Sequence, residues 1–201
     1  YYYFGDWSKG LCEGEGILNI DGTCYDGQFK NNKKNGMGKE EYPDGSKYDG
    51  NFVDNEKEGE GIYTFSDNSY YKGNFKNSKF DGKGHYSWAD GREYVGEFKS
   101  GAMHGQGKHT WSDGSSYEGT YTNNKKNGLG EFTWPNGNKF FGNFVNNQPN
   151  GEATLEEVST NTKYIIMFRH GKIISSRIVG KGDGNENVLG SKDIDFPKED
   201  V

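Results

Sequence analysis

The sequence predicts an all-β protein, an extended single-layer antiparallel sheet assembled from tandem hairpins. A tyrosine- and glycine-rich unit recurs about every 23 residues along the 201-residue chain. Within each unit, aromatics and glycines alternate with polar residues, and clusters of Asn, Asp, Gly and Pro separate the alternating runs. Alternation marks strands with one apolar face, the clusters mark turns, and a fixed period marks a repeat array.

The copy that shows the pattern most fully opens at Tyr94, followed by Gly96, Phe98, Gly105, Gly107, Trp111 and Gly114 before Tyr117 opens the next. Copies open at Tyr3, Tyr25, Tyr48, Tyr71, Tyr94, Tyr117 and Phe140. Each opener has glycine two residues on and an aromatic four on (Trp7, Phe29, Phe52, Phe75, Phe98, Tyr121, Phe144). A Gly-x-Gly follows, as in Gly36 and Gly38 or Gly128 and Gly130, and an aromatic closes the unit at Tyr42, Phe65, Trp88, Trp111 and Trp134. The first copy has Ile20 at the closing position. In the seventh, Ala153 replaces the second glycine and Glu157 the closing aromatic.

One hairpin per copy accounts for this order. In the second copy the polar set is Asp26, Gln28, Lys39 and Glu41; turns are expected at residues 31–35 and at Pro43-Asp44-Gly45. Glycine normally weakens a strand, so its repetition beside aromatics implies rings lying over bare backbone where a side chain would block them. Such a layer needs no second sheet. One copy buries too little to offset its ordering entropy, so stability should grow with copy number.

Composition limits the functions available. The net charge of −6 argues against a surface devoted to nucleic acid or anionic lipid, and no run of eighteen apolar residues exists. The chain starts at Tyr1 inside a repeat, with neither a start methionine nor a signal pattern, and so reads as a piece of a longer protein. Cys12 and Cys24 are expected at opposite edges of the sheet, too far apart to pair, and so as free thiols in a reducing compartment. The absence of an Asn-x-Ser/Thr sequon agrees with a cytoplasmic setting.

No catalytic constellation emerges, and the fragment reads as non-enzymatic, without cofactor. The Gly-x-Gly pairs lack the strand-to-helix setting of a nucleotide loop and no Gly-Lys-Ser/Thr follows them. Asp183 to Asn187 begins like a calcium loop, but Val188 stands where glycine is required and Ile194 where the bidentate glutamate belongs. His85, His104, His109 and His170 are scattered without a shared ligand geometry, so no metal is expected.

These residues resemble the MORN (membrane occupation and recognition nexus) repeat, in Tyr-x-Gly-x-Phe/Trp, then Gly-x-Gly, then a downstream aromatic. The resemblance covers residues 1–163. It implies a single-layer antiparallel sheet twisted into an elongated trough lined by the aromatics. It also implies roles as protein-binding modules and cytoskeletal, ciliary or cortical scaffolds, or as arrays attached to lipid kinase or methyltransferase domains. Residues 164–179 depart from the pattern: Tyr164 and Phe168 remain, Ile166 takes the glycine position, and a turn at His170-Gly171 leads into an apolar strand. They read as a capping hairpin. Residues 180–201 read as a polar linker or tail whose apolar residues, Val188, Leu189, Ile194 and Phe196, could dock on a partner or on the array.

Two binding classes follow. The first is a protein-interaction scaffold, cytoplasmic and cytoskeleton- or cilium-associated, with Tyr63, Tyr86, Trp88, Phe98, Trp111, Phe132 and Trp134 as the floor of a trough. That trough would accept a helix or an extended segment, with assembly through the sheet ends or homodimerisation as further routes. Four off-pattern apolar residues add candidate contacts: Met37 and Leu129 on the polar side, and Phe80 and Met103 in loops. In the Tyr94 copy, the residues that vary are Val95 and Ala102-Met103-His104. The second class is an anionic-membrane or phosphoinositide tether on a row formed by Lys33, Lys34, Lys57, Lys79, Lys125 and Lys126 along one edge, at the cytoplasmic face of a membrane. A regulatory array serving an enzyme domain outside the fragment is a third reading. Nucleic acid is not an expected partner.

Overall fold

The computed structural model describes residues 1–179 together with Ile194 and Phe196. It contains sixteen strands: β1 (Tyr2–Ser8), β2 (Leu11–Ile20), β3 (Thr23–Lys30), β4 (Lys33–Glu41), β5 (Lys47–Val53), β6 (Glu56–Thr64), β7 (Tyr70–Lys76), β8 (Lys79–Ser87), β9 (Glu93–Lys99), β10 (Ala102–Thr110), β11 (Ser116–Thr122), β12 (Lys125–Thr133), β13 (Lys139–Val145), β14 (Gln148–Glu157), β15 (Thr162–Arg169) and β16 (Lys172–Val179). They form one sheet in which each strand is hydrogen-bonded to its neighbours in chain order. The chain divides into two compact units, Tyr1–Ala102 and Met103–Val201.

In the first unit, the copy opening at Tyr25 shows how sequence sets geometry. Strands β3 and β4 are joined by Asn31-Asn32 alone, at φ 50° and 66°. Positive φ at both positions is the twist-matched two-residue hairpin turn, and asparagine tolerates it. The turn is thus shorter than the expected five residues, and Lys33 and Lys34 already belong to β4. The other turn, before β5, is closed by Tyr42 N–H donating to the Ser46 carbonyl (2.9 Å) and Gly45 N–H to the Tyr42 carbonyl (2.9 Å). Asp44 Oδ1 accepts from both the backbone N–H (2.9 Å) and the hydroxyl (2.7 Å) of Ser46.

The two glycines of each Gly-x-Gly do different work, which corrects the expectation that ring stacking explains both. Gly36 has φ 93° and sits where the pairing slips from Gly27↔Gly38 to Phe29↔Lys34, so it forms a β-bulge. Gly38 lies beneath a ring: a Cβ there would meet the Tyr25 ring at 2.4 Å. The Tyr25 hydroxyl fixes that ring by donating to the Gln28 carbonyl (2.9 Å). Tyr25 then packs edge-to-face on Phe29 of its own copy and Phe52 of the next, both at 5.1 Å. Tyr48 repeats this with Phe52 and Phe75, and Tyr71 with Phe75 and Phe98. These openers and their partners are almost wholly buried in a sheet one layer thick.

Neighbouring copies are also tied at their turns. Asn32 N–H donates to the Cys12 carbonyl (3.0 Å), and the Asn32 side-chain oxygen accepts from Cys12 N–H (2.7 Å). Asn55 does the same for Lys34, at 3.0 and 2.9 Å. Cys12 lies near the start of β2. Cys24, in β3, pairs with Asn19 at the far end of β2, and both thiols are free.

The second unit continues the pattern with Tyr117 packed on Tyr121 and Phe144, and Asn147 tied to Lys126. It changes where the sequence does. Phe140 replaces the tyrosine, Ala153 opposes Gly142, and Ile166, fully buried, opposes Ala153. β15 and β16 close the described sheet as a hairpin turning at His170-Gly171. Of the apolar tail residues, Val188 and Leu189 lie outside the described residues.

Candidate functional site: the aromatic face

Beyond the opener and its partner, further side chains reach the aromatic face. In four copies the second residue after the hairpin turn lies against the opener's ring: Lys34, Lys57 and Phe80 in the first unit and Lys126 in the second. Phe80 stacks on Tyr71 at 3.8 Å and 15°. Lys34 Nζ lies 5.0 Å from the Tyr25 ring centre, Lys57 Nζ 5.2 Å from Tyr48, and Lys126 Nζ 5.0 Å from Tyr117.

This arrangement corrects two expectations. Phe80 and Met103 are not loop residues but half-buried residues of β8 and β10. Nor do the six lysines form one row. Lys33, Lys79 and Lys125 are exposed, whereas the side chains of Lys34 and Lys57 are 17% and 14% exposed and Lys126 is 2% exposed as a residue. Strand alternation sends adjacent lysines to opposite faces, and the aromatic face draws one set inward through cation–π contact.

In the first unit, the inward lysines enclose a carboxylate. Glu40, 5% exposed, accepts from Lys34, Tyr42 and Lys57, the last at 3.2 Å, and Lys57 also donates to the Tyr42 hydroxyl at 2.6 Å. Burial alone would push the Glu40 carboxyl up, but hydrogen bonds from Lys34 and Tyr42 and the charges of Lys34 and Lys57 outweigh it and hold it below the usual range. Burial, and then the bond to Glu40, push the Tyr42 phenol upward. Next to this cluster runs a strip of half-buried rings: Tyr42–Tyr63 (6.1 Å), Tyr63–Phe65 (4.8 Å), Phe65–Tyr86 (5.6 Å) and Tyr86–Trp88 (4.5 Å). Arg92 lies over Trp88 at 5.2 Å.

In the second unit the corresponding face is more closed. His109 stacks on Trp111 at 4.3 Å and 6°, Trp111 packs on Phe132, and Phe132 packs on Trp134. Phe196 sits against Phe132, Trp134, Phe140 and Phe144 at 5.4, 5.6, 5.1 and 5.8 Å. Ile194 and Phe196 line a cavity of about 350 Å³ with Pro149, Phe168 and Ile173.

The expected floor therefore divides. Tyr63, Tyr86 and Trp88 come together as a half-open strip, and Trp134 is half-buried beside Phe196. Phe98, Trp111 and Phe132 are core. Met37, Val95 and Leu129 are exposed on the opposite face, at 53%, 54% and 59%. Sequence reasoning left Glu40 out of the site. Its signal was position, because a carboxylate between Gly38 and Tyr42 must point inward and needs a counter-ion there. Among the described residues no group of three or more His, Cys, Asp or Glu is placed to hold a metal.

A sheet of tandem hairpins with a ring-over-glycine face defines a class of β-repeat protein. The sequence profile of the MORN repeat matches residues 3–23, 25–47, 48–70, 71–91, 94–116, 117–139 and 140–156, and the chain belongs to the MORN repeat family. This is a non-catalytic repeat type. A comparison with curated protein sequences found no match. Among solved structures, the G-box domain of the microcephaly protein CPAP, for which a role in centriole elongation was suggested, is 15% identical. The match covers 92% of this chain and 94% of that one, with a TM-score of 0.51. The TCP domain of Drosophila melanogaster SAS-4 (dCPAP), solved with a proline-rich motif of Ana2 (dSTIL), is 13% identical over 77% of this chain and 84% of that one, with a TM-score of 0.49. At 15% identity the likeness to the G-box domain is one of fold.

Proposed function

We propose that the protein is a non-catalytic interaction scaffold that presents the aromatic face of its repeats to protein partners in a cytoskeletal assembly. The observation that carries this reading is the ring strip Tyr63, Phe65, Tyr86 and Trp88. From Tyr25 onward the openers and their partners are already buried by the sheet, so these further rings leave contiguous apolar surface for a partner to cover. Membership of the MORN family supports the scaffold class, and the fold shared with a centriolar domain is consistent with the cytoskeletal setting.

The membrane reading loses weight on charge placement. Lys33 faces Asp54 at 3.6 Å, and Glu56 occupies the equivalent position between Lys33 and Lys79. What remains is a sparse, diluted set rather than a basic patch.

A pull-down from cell extract tests the proposal. The double variant Tyr63→Ala/Trp88→Ala is expected to lose specific partners while its circular dichroism melt stays close to that of the parent. Partners retained by a folded double variant would refute the surface. Sedimentation with phosphoinositide vesicles tests the alternative, since tight binding lost on reversing Lys33, Lys79 and Lys125 would replace the scaffold by a tether.

A further inference from the structure

Phe196 lies outside the sixteen strands. It nevertheless meets four rings of the second unit, edge-to-face on Phe132, Phe140 and Phe144 and tilted on Trp134. The geometry is that of an aromatic anchor seated among rings. Tyr63 and Tyr86 occupy the position in their copies that Phe132 has in its own, and both are half-open, whereas Phe132 is 0% exposed. Ile194 lies two residues before Phe196, the spacing that sets both side chains on one side of an extended chain, and it lines the adjoining cavity. That cavity, about 350 Å³, lies on the side of Phe196 toward Phe168 and Ile173.

We propose that this face is a phenylalanine-accepting site for an extended partner segment bearing an apolar-x-Phe pair, and that Ile194 and Phe196 occupy it in cis as a competitor. The proposal rests on the reading of the aromatic face as a protein-binding surface and assigns the second unit its ligand chemistry. Because the competitor is covalently attached, its effective concentration is in the millimolar range, so a partner segment must outcompete it. The chain's own segment thereby sets a threshold that only a better-fitting or multivalent partner passes.

Fluorescence anisotropy with a labelled synthetic peptide of residues 188–200 tests this on the full chain. The peptide is expected to bind the Phe196→Ala chain at least about tenfold more tightly than the parent, since the tethered guest is gone. A peptide with alanine in place of Phe196 should bind neither, and adding Trp134→Ala to the Phe196→Ala chain should abolish binding while the melt confirms folding. Equal affinity for parent and variant, or no binding to a folded Phe196→Ala chain, would overturn the proposal. So would a parent dimer in analytical ultracentrifugation that Phe196→Ala dissociates, because the segment would then be seated on a second copy. Failure here leaves the Tyr63/Trp88 pull-down as an independent result on the first unit.

Discussion

At Gly38 the sheet has no room for a methyl group. A Cβ would lie 2.4 Å from a ring that is hydrogen-bonded in place and packed between two phenylalanines. Gly45 has φ 87° with nothing within 4 Å of its added Cβ, so only backbone strain opposes substitution. Gly38→Ala is therefore expected to cost about 3 kcal/mol and Gly45→Ala about 1 kcal/mol, compared by urea unfolding. Glu40 makes the sign of a pH effect explicit. Its folded pKa is depressed, so its contribution is present above the unfolded value near 4.5 and is lost as pH falls through the folded value. Glu40→Gln should flatten the acid limb of stability, and Glu40→Ala at neutral pH should cost about 3 kcal/mol by leaving two inward lysines without their carboxylate. The openers Tyr25, Tyr48, Tyr71 and Tyr94 behave oppositely at high pH. Burial, ahead of nearby carboxylates, raises their phenols, so the stability they confer is present below about pH 10 and lost as pH climbs through their folded values. An absorbance titration at 295 nm should show them ionising only together with unfolding. Residue identity alone did not reveal which lysines point inward. Lys33 and Lys34 differ by one step of strand alternation, and the register of the short turn decides it.

The hairpin is the element at which the sequence was most legible. Asparagine pairs and Asp-Gly clusters place the turns, and the tyrosine and glycine spacing places the strands, because each demand is local. The tie between copies was not legible, since it joins residues about twenty apart through a side-chain oxygen. It carries its own prediction. Gly101 N–H donates to the Phe80 carbonyl (2.8 Å), but glycine has no side-chain acceptor to return a bond as Asn55 returns one to Lys34. Gly101→Asn, at φ 90°, should stabilise by about 0.5 kcal/mol, and Asn55→Gly should destabilise by a similar amount, about 0.5 kcal/mol. Equal melts for all three proteins would remove the tie from the account of stability. The first glycine of each Gly-x-Gly was misread for a related reason, since a bulge is a property of two paired strands rather than of one.

Across the whole molecule, the repeat pattern makes every copy look alike, while position in the array sets what each residue is worth. Trp7 and Phe52 occupy the same place in their copies, yet Trp7 is 59% exposed and Phe52 1%. Phe52→Ala should cost about 4 kcal/mol and Trp7→Ala well under about 1 kcal/mol. The same logic separates two sets: residues constant in every copy build the sheet, and those that vary on the aromatic face are where we propose a partner is met. Fold was readable because periodicity sums weak signals over many copies. The candidate floor was only partly readable as open surface, since Tyr63, Tyr86 and Trp88 are half-buried while Phe98, Trp111 and Phe132 are absorbed into the core. Site-specific photo-crosslinking in cells tests the central claim most directly, with a crosslinking amino acid placed at Tyr63 or Trp88 on the aromatic face and at Met37, Val95 or Leu129 on the other. Discrete protein adducts from Tyr63 and Trp88, with none from the opposite face, are the predicted result; protein adducts confined to Met37, Val95 and Leu129 would contradict it.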